Sequence, residues 1–286
     1  MTLPRYVEIL RTQYGATNVF LAPHGSFEVP EEPVELPEIP TVMAFGKFGT
    51  YKRVEELIEA HRVLLQREPR LRLVIAGSDS PNAKGYLQSM SEHYRDIPNI
   101  TYTGYVAEED VPVIFRDSTV VAFPYNSTTG SSGVLHQAGQ YARASVMPNI
   151  GDLRDLIEEE GYCAEYFEVG NATSLAEALW RVLGNPQYAW ELGLANHRAA
   201  AGLTLDEVTN SYMRHFESLL ATQKSHDAKS AAVLATGRNE VWILNDGRKQ
   251  NARSWPSKGG LTHIRCRASR RRSNRSSIRC SWTSPM

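Results

Sequence analysis

Between Thr41 and Leu220 the chain switches repeatedly between short, continuous apolar runs and longer segments with an apolar stripe at helical spacing. The short runs Thr41–Gly46, Leu71–Gly77, Ile100–Gly104, Thr119–Pro124, Ala144–Met147 and Ala164–Glu168 read as strands, apolar enough to be covered on both faces. Lys52–Gln66 carries Val54, Leu57, Ile58, Leu64 and Leu65 near one side and reads as an amphipathic helix. Gly85–Asp96, Glu108–Asp117, Gly133–Ala142 and Asp152–Glu160 are the next helical segments. Three more, Leu175–Leu183, Pro186–Ala201 and Leu205–Leu220, close the unit. Strict alternation of strand and helix predicts parallel strands joined by crossover helices, an α/β fold with a single Rossmann-like doubly wound sheet. Ligands of such sheets bind outside the carboxyl ends of the strands. The segments to inspect are therefore Lys47–Lys52, Ser78–Lys84, Tyr105–Glu109 and Tyr125–Ser132.

The flanks differ from this unit. Residues 1–40 are too few for a domain; Glu28–Pro40 is rich in Pro and Glu and reads as a linker. From Lys224 to Met286 there are 14 basic and 3 acidic residues, net +11, against 17 and 29, net −12, in the rest. This break predicts a boundary, giving an N-terminal segment 1–40, a Rossmann-like domain 41–222 and an Arg/Ser-rich tail 223–286 expected to be largely disordered. No run reaches the ~18 apolar residues of a membrane span, and the N-terminus lacks the order of a signal peptide. Three cysteines without metal-ligand spacing suit a reducing, cytoplasmic setting.

Two features carry candidate chemistry. Lys47 and Lys52 flank the first strand–helix loop, where a pair of cations either lies in solvent or clamps a diphosphate. Gly130, Ser131, Ser132 and Gly133 sit between an apolar strand and a helix. Small residues there let backbone N–H groups approach an anion, or simply start a helix with Ser131 or Ser132 as N-cap. His136, inside the apolar segment "VLHQA", reads as a packed side chain. GxGxxG, GxxxxGK[ST] and GxSxG are all missing, which argues against a dinucleotide fingerprint, a P-loop and a hydrolase elbow.

Taken in order, "FGKFGTYKRVEELIEA", "LVIAGSDS", "ITYTGYVAEEDVPVIFRDSTVVAFPY", "GVLHQAGQYARASVMPNIGDLRDLI" and "FEVGNATSLAEAL" resemble the C-terminal, nucleotide-sugar-binding domain of family 4 (group 1) GT-B glycosyltransferases. The resemblance covers roughly Val19 to Leu220. It implies a nucleoside diphosphate sugar as donor substrate, with no metal or other cofactor, and transfer with retention of configuration. It implies that Lys47 and Lys52 neutralise the departing diphosphate, and that Gly104, Tyr105 and Val106 lie near the base. It places Thr129, Gly130, Ser131, Ser132, Gly133, Val134 and Gln137 around the distal phosphate, sugar and ribose. The family's two glutamates fall on Thr129 and Gln137, so both carboxylates are replaced. The resemblance also implies a second, N-terminal domain holding the acceptor; "VFLAPHG" is similar to its last strand and exit turn, with His24 in that turn.

Two functional classes follow. One is the donor-binding part of a glycosyltransferase, completed by an N-terminal domain and acting on a glycan or lipid-type acceptor. The other is a non-catalytic module that binds a nucleotide or nucleotide-sugar. A third, weaker class is a membrane-surface or RNA contact through the basic tail; without aromatic interleaving this is no specific nucleic-acid reader.

Overall fold

The computed structural model describes residues 4–22, 24–26, 28–127, 132–151, 153–235, 242–245, 248–251, 266–268 and 278–280. The chain divides into two compact units, residues 1–220 and 221–286. In the first, helix α1 (Pro4–Thr12) precedes the alternating region. That region comprises β1 (Thr41–Phe48), α2 (Glu55–Leu64), β2 (Arg72–Asp79), α3 (Tyr86–His93) and β3 (Ile100–Gly104). A 3-10 turn (Glu108–Asp110) follows, then α4 (Val111–Arg116), β4 (Val120–Ala122), α5 (Gly133–Gln140), β5 (Ala144–Pro148), α6 (Leu153–Glu159) and β6 (Glu165–Phe167). Helices α7 (Ala172–Leu183), α8 (Pro186–Gly202) and α9 (Leu205–Ala235) complete the order. Helix α9 runs past Leu220, where the apolar pattern ends it. In the second unit, Trp242–Asn245 pairs antiparallel with Arg248–Asn251, and Cys266–Ala268 with Ile278–Cys280.

The six strands of the first unit form one parallel sheet in the order β3-β2-β1-β4-β5-β6. Period-two alternation explains the continuous apolar runs. Val42 and Ala44 of β1, Val120 and Ala122 of β4 and Val146 of β5 face one core, against Leu57 and Ile58 of α2 and Leu175 and Leu179 of α7. Met43, Val121 and Met147 face the other, against Leu135 of α5, Leu153 of α6 and Ala200 of α8. Both faces are covered, so neither tolerates a polar stripe.

Local signals fix several ends. Asn171 and Asn185 cap α7 and α8, their side-chain oxygens accepting from the Ser174 and Tyr188 N–H groups, and Pro186 takes the first turn of α8. Helix α2 has no side chain of its own at the N-cap; the Tyr86 hydroxyl, from α3, accepts from the Val54 N–H at 2.8 Å and donates to Glu55 at 2.6 Å.

The segment read as a linker is strapped to the sheet domain. Gln140 donates to the Glu28 carbonyl at 2.7 Å, Arg143 to the Val34 and Glu35 carbonyls at 2.8 Å each, and His197 Nε2 lies 2.9 Å from the Pro30 carbonyl. A Pro-rich segment has carbonyls that no helix or ladder consumes, and these side chains satisfy them. Arg143 is fully buried, and desolvation lowers its guanidinium to about 10.

Candidate functional site

The sheet order reverses between β1 and β4, so this doubly wound sheet has its crevice at the carboxyl ends of those two strands. Two segments meet there. Lys52 and Tyr125 form an isolated antiparallel bridge. On either side of it, the Arg53 N–H donates to the Pro124 carbonyl and the Asn126 N–H to the Tyr51 carbonyl, each at 2.9 Å. The loop after β1 and the loop after β4 are thereby held together by backbone bonds.

Lys52 lies at the centre of this junction. It is 9 % exposed. Its Nζ stands 4.8 Å from the centroid of the Tyr125 ring and 5.9 Å from that of Tyr51, both within cation–π range. The space it occupies exists because residue 46 is glycine: a Cβ there would sit 2.7 Å from Lys52 Nζ. Gly46 and its register partner Gly77 both have positive φ, 135° and 133°, and a Cβ on Gly77 would lie 1.9 Å from the Gly46 carbonyl oxygen. Among the described residues no carboxylate forms an ion pair with Lys52. Desolvation alone lowers its ammonium to about 8.

Tyr125 extends the junction to α5. Its hydroxyl is 3.3 Å from Ser132 Oγ, and its ring meets those of Tyr51 and Phe123 edge-on, both at 5.5 Å. Ser132 occupies the N-cap position of α5 without a side-chain cap bond. The N-terminal N–H groups of that helix thus open toward the same crevice end of the sheet. A cleft of about 300 Å³ lies between the two loops, lined by Arg53, Glu55, Glu56, Pro124, Tyr125 and Asn126. A larger cavity of about 470 Å³ lies between the Asn18–Ala22 segment and α9. Its lining is mainly apolar, with Phe20, Leu21, Phe216 and Leu219, and it offers no lysine or arginine to an anion; the smaller cleft carries Arg53 beside Glu55 and Glu56, with Lys52 outside its lining, so what marks the junction is the position of Lys52 at the crevice and not the charge of either cavity.

Two sequence expectations need correction here. Lys47 does not follow β1 but belongs to it, in register with Ser78 of β2, and is exposed. Lys52 does not open α2; it precedes Glu55 by three residues, because the bridge to Tyr125 holds this stretch extended and delays the helix. The geometry joins Lys52 to Ser132, with Gly133 and Val134 opening α5 and half-buried Gln137 one turn further along. Gly104, Tyr105 and Val106 stand at the end of β3, separated from β1 by β2; Gly104 has φ 68° and Tyr105 is 82 % exposed. Thr129, Gly130 and Ser131 lie outside the described residues.

His136 is packed, as its apolar setting suggests. It is 2 % exposed, with Nδ1 2.8 Å from the Tyr162 hydroxyl and Nε2 3.8 Å from Glu160. Desolvation, reinforced by His24, lowers its imidazole to about 4, so the ring is neutral at neutral pH. His24 stacks on it at 4.9 Å and covers Gly133, whose Cβ would lie 3.5 Å from the His24 ring. Tyr51, Tyr125 and the Gly46/Gly77 pair escape sequence reasoning. The one legible hint is that Tyr51 adjoins Lys52 and Tyr125 directly follows the β4 strand region.

With this geometry in place, comparison with known proteins gives the family. A family model described as "Glycosyl transferases group 1" matches residues 39–185, just over half of the chain. The O-antigen chain mannosyltransferase C of Escherichia coli is 22 % identical over 180 residues, 62 % of this chain and 46 % of that protein. The mannosylfructose-phosphate synthase of Agrobacterium fabrum is 33 % identical over 81 residues, 26 % of this chain and 18 % of that protein. The sucrose-phosphate synthase structure from Thermosynechococcus elongatus superposes with TM-score 0.62 at 18 % identity, over 78 % of this chain and 58 % of that one. Anabaena HepE in complex with UDP superposes with TM-score 0.54 at 16 % identity, over 75 % and 53 %. The chain spans less than half the length of both curated relatives, and the structural likeness shows the fold. On the match over residues 39–185 and the order of its sheet, this chain belongs to the glycosyl transferases group 1 family.

Proposed function

We propose that residues 41–222 bind the donor, a nucleoside diphosphate sugar, and serve a retaining glycosyl transfer to a glycan or lipid-type acceptor completed by a further domain. The carrying observation is Lys52: a buried ammonium with no carboxylate partner among the described residues, at the crevice of a doubly wound sheet and joined to the loop that leads into α5. A charge without an internal counter-ion suits an external one, and a diphosphate supplies it. In the reaction the bond from the anomeric carbon to the diphosphate oxygen breaks and the leaving group takes the electron pair; an acceptor hydroxyl oxygen bonds to the anomeric carbon and passes its proton to the departing diphosphate, and Lys52, with Lys47 at the same strand end, stabilises the charge that develops. The α5 N-terminus receives the distal phosphate or sugar, Gln137 hydrogen-bonds a ribose hydroxyl, and the backbone of Gly104–Val106 borders the base. HepE, similar in fold, holds UDP and UDP-glucose in its crystal structures, which supports a nucleotide-sugar donor.

A second reading, a nucleotide-binding module without transfer activity, is favoured by Gln137 and Thr129 at the positions where the family carries glutamates. Calorimetric titration with UDP, GDP, ADP and their sugars, on the wild type and on Lys52→Ala, separates these cases. Saturable binding weakened by the substitution supports the donor site. Binding to none of the nucleotides, or binding indifferent to Lys52→Ala, refutes it. Release of free nucleotide from an NDP-sugar on adding an acceptor extract, seen only with wild type, decides for transfer over mere binding.

A further inference from the structure

We propose that Tyr125 is a positioning residue whose ring seats the Lys52 ammonium in place of a carboxylate, leaving the full charge of Lys52 available to an anionic ligand. The inference rests on the reading of Lys52 as the cation that meets the donor diphosphate.

A buried ammonium needs a partner that offsets its lost hydration. A carboxylate would do this but would also cancel the charge the site has to offer, and an incoming diphosphate would have to compete with it. The face of an aromatic ring attracts a cation through its quadrupole and carries no net charge. Lys52 Nζ stands 4.8 Å from the Tyr125 centroid, so the ring holds the ammonium without neutralising it. The other charged and titratable groups around this junction are Tyr51, Arg53, Glu55, Glu56 and Tyr86; Glu55 is occupied by Arg53 and by the Tyr86 hydroxyl, and Glu56 accepts from the Gly170 N–H at 3.1 Å, so both carboxylates are engaged away from Lys52.

The seat is built from more than one direction. Tyr125 is pinned by its backbone bridge to Lys52, by the bonds flanking that bridge, by the edges of Tyr51 and Phe123, and by the contact of its hydroxyl with Ser132. Gly46 leaves the opposite side open. Lys52 thus lies between Gly46, which has no side chain, and a ring held by several contacts, an arrangement that limits the freedom of a flexible four-carbon stem before any ligand arrives.

Three variants test this: Tyr125→Phe keeps the ring, Tyr125→Leu removes it, and Lys52→Ala removes the cation. UDP is the probe, titrated by calorimetry into proteins whose melting curves show them folded. We expect Tyr125→Leu to weaken UDP binding about tenfold, Tyr125→Phe to stay within about twofold of wild type, and Lys52→Ala to weaken it at least as much as Tyr125→Leu. Independently of UDP affinity, reductive methylation with a carbon-13 label gives Lys52 an NMR signal displaced by the ring current. That displacement is kept in Tyr125→Phe and lost in Tyr125→Leu. Wild-type affinity in Tyr125→Leu, or an equal loss in Tyr125→Phe and Tyr125→Leu, overturns the proposal while leaving the Lys52 site standing. A wild type that fails to bind UDP, or a Lys52→Ala that binds as well as wild type, instead overturns the donor-site reading.

Discussion

Raising the pH should weaken UDP binding while relieving the cost of burying Lys52, and the two effects have opposite signs for one reason. Burial lowers the Lys52 ammonium from 10.5 to about 8 in the free protein. The group is then about nine-tenths charged at pH 7 and about one-tenth charged at pH 9. A bound diphosphate restores the ammonium toward its ordinary range, so the complex stays charged across this interval. UDP affinity should fall about tenfold between pH 7 and pH 9, equivalent to about 1.4 kcal/mol. Stability runs the other way. Between about pH 8 and pH 10.5 the unfolded chain holds the lysine proton and the folded protein does not, so Lys52's contribution to stability rises with pH; the desolvation cost at neutral pH is about 3 kcal/mol. Tyr125 and His136 stay silent between pH 7 and 9: burial pushes the Tyr125 hydroxyl further up, and His136 is already deprotonated. Calorimetry in two buffers of unlike ionisation enthalpy counts the protons, and should find about 0.9 taken up per UDP at pH 9 and about 0.1 at pH 7. A flat affinity and proton count from pH 7 to 9, or the same profile in Lys52→Met, would refute the reasoning.

Other consequences are equally measurable. Gly46→Ala places a methyl 2.7 Å from Lys52 Nζ at a φ of 135°, and should cost about 1–3 kcal/mol in urea unfolding and weaken UDP binding; unchanged binding would mean Lys52 is not held there. Gly77→Ala drives a Cβ to 1.9 Å from the Gly46 carbonyl, and should yield no cooperatively folded protein by circular dichroism. As pH falls from about 6.5 to 4 the unfolded state gains a proton at residue 136 that the folded state refuses; the loss of about 3 kcal/mol should shrink in His136→Phe, with a residual slope from His61, lowered in the same direction. Asn196→Ala removes the buried bonds to the Cys163 N–H and the Arg143 carbonyl and should destabilise by about 3 kcal/mol with UDP affinity preserved.

The alternation of strands and helices is legible because each element repeats its apolar pattern locally, and the Asn-Pro start of α8 announces itself. Both corrections come from pairing across the sheet. That Lys52 sits before α2 depends on β4 lying beside β1, an adjacency the order of residues does not state. Tyr125 is likewise an ordinary aromatic until that neighbour is known. The strap over residues 28–35 was hidden for a different reason: its bonds go to backbone carbonyls, which every residue has, so only Gln140, Arg143 and His197 could have hinted at it. Gly46 and Gly77 lie in strands where a glycine alone reads as a weakness; their register makes them a requirement.

The strap also gives α5 a mechanical character. Gln140 ends the helix and Arg143 follows it, and both grip strap carbonyls, while the opposite end begins at Ser132 and Gly133 beside Tyr125. A helix of eight residues is a rod about 12 Å long. Replacing Arg143 takes the donors from the Val34 and Glu35 carbonyls at one end of this rod, while the lysine seat lies at the other.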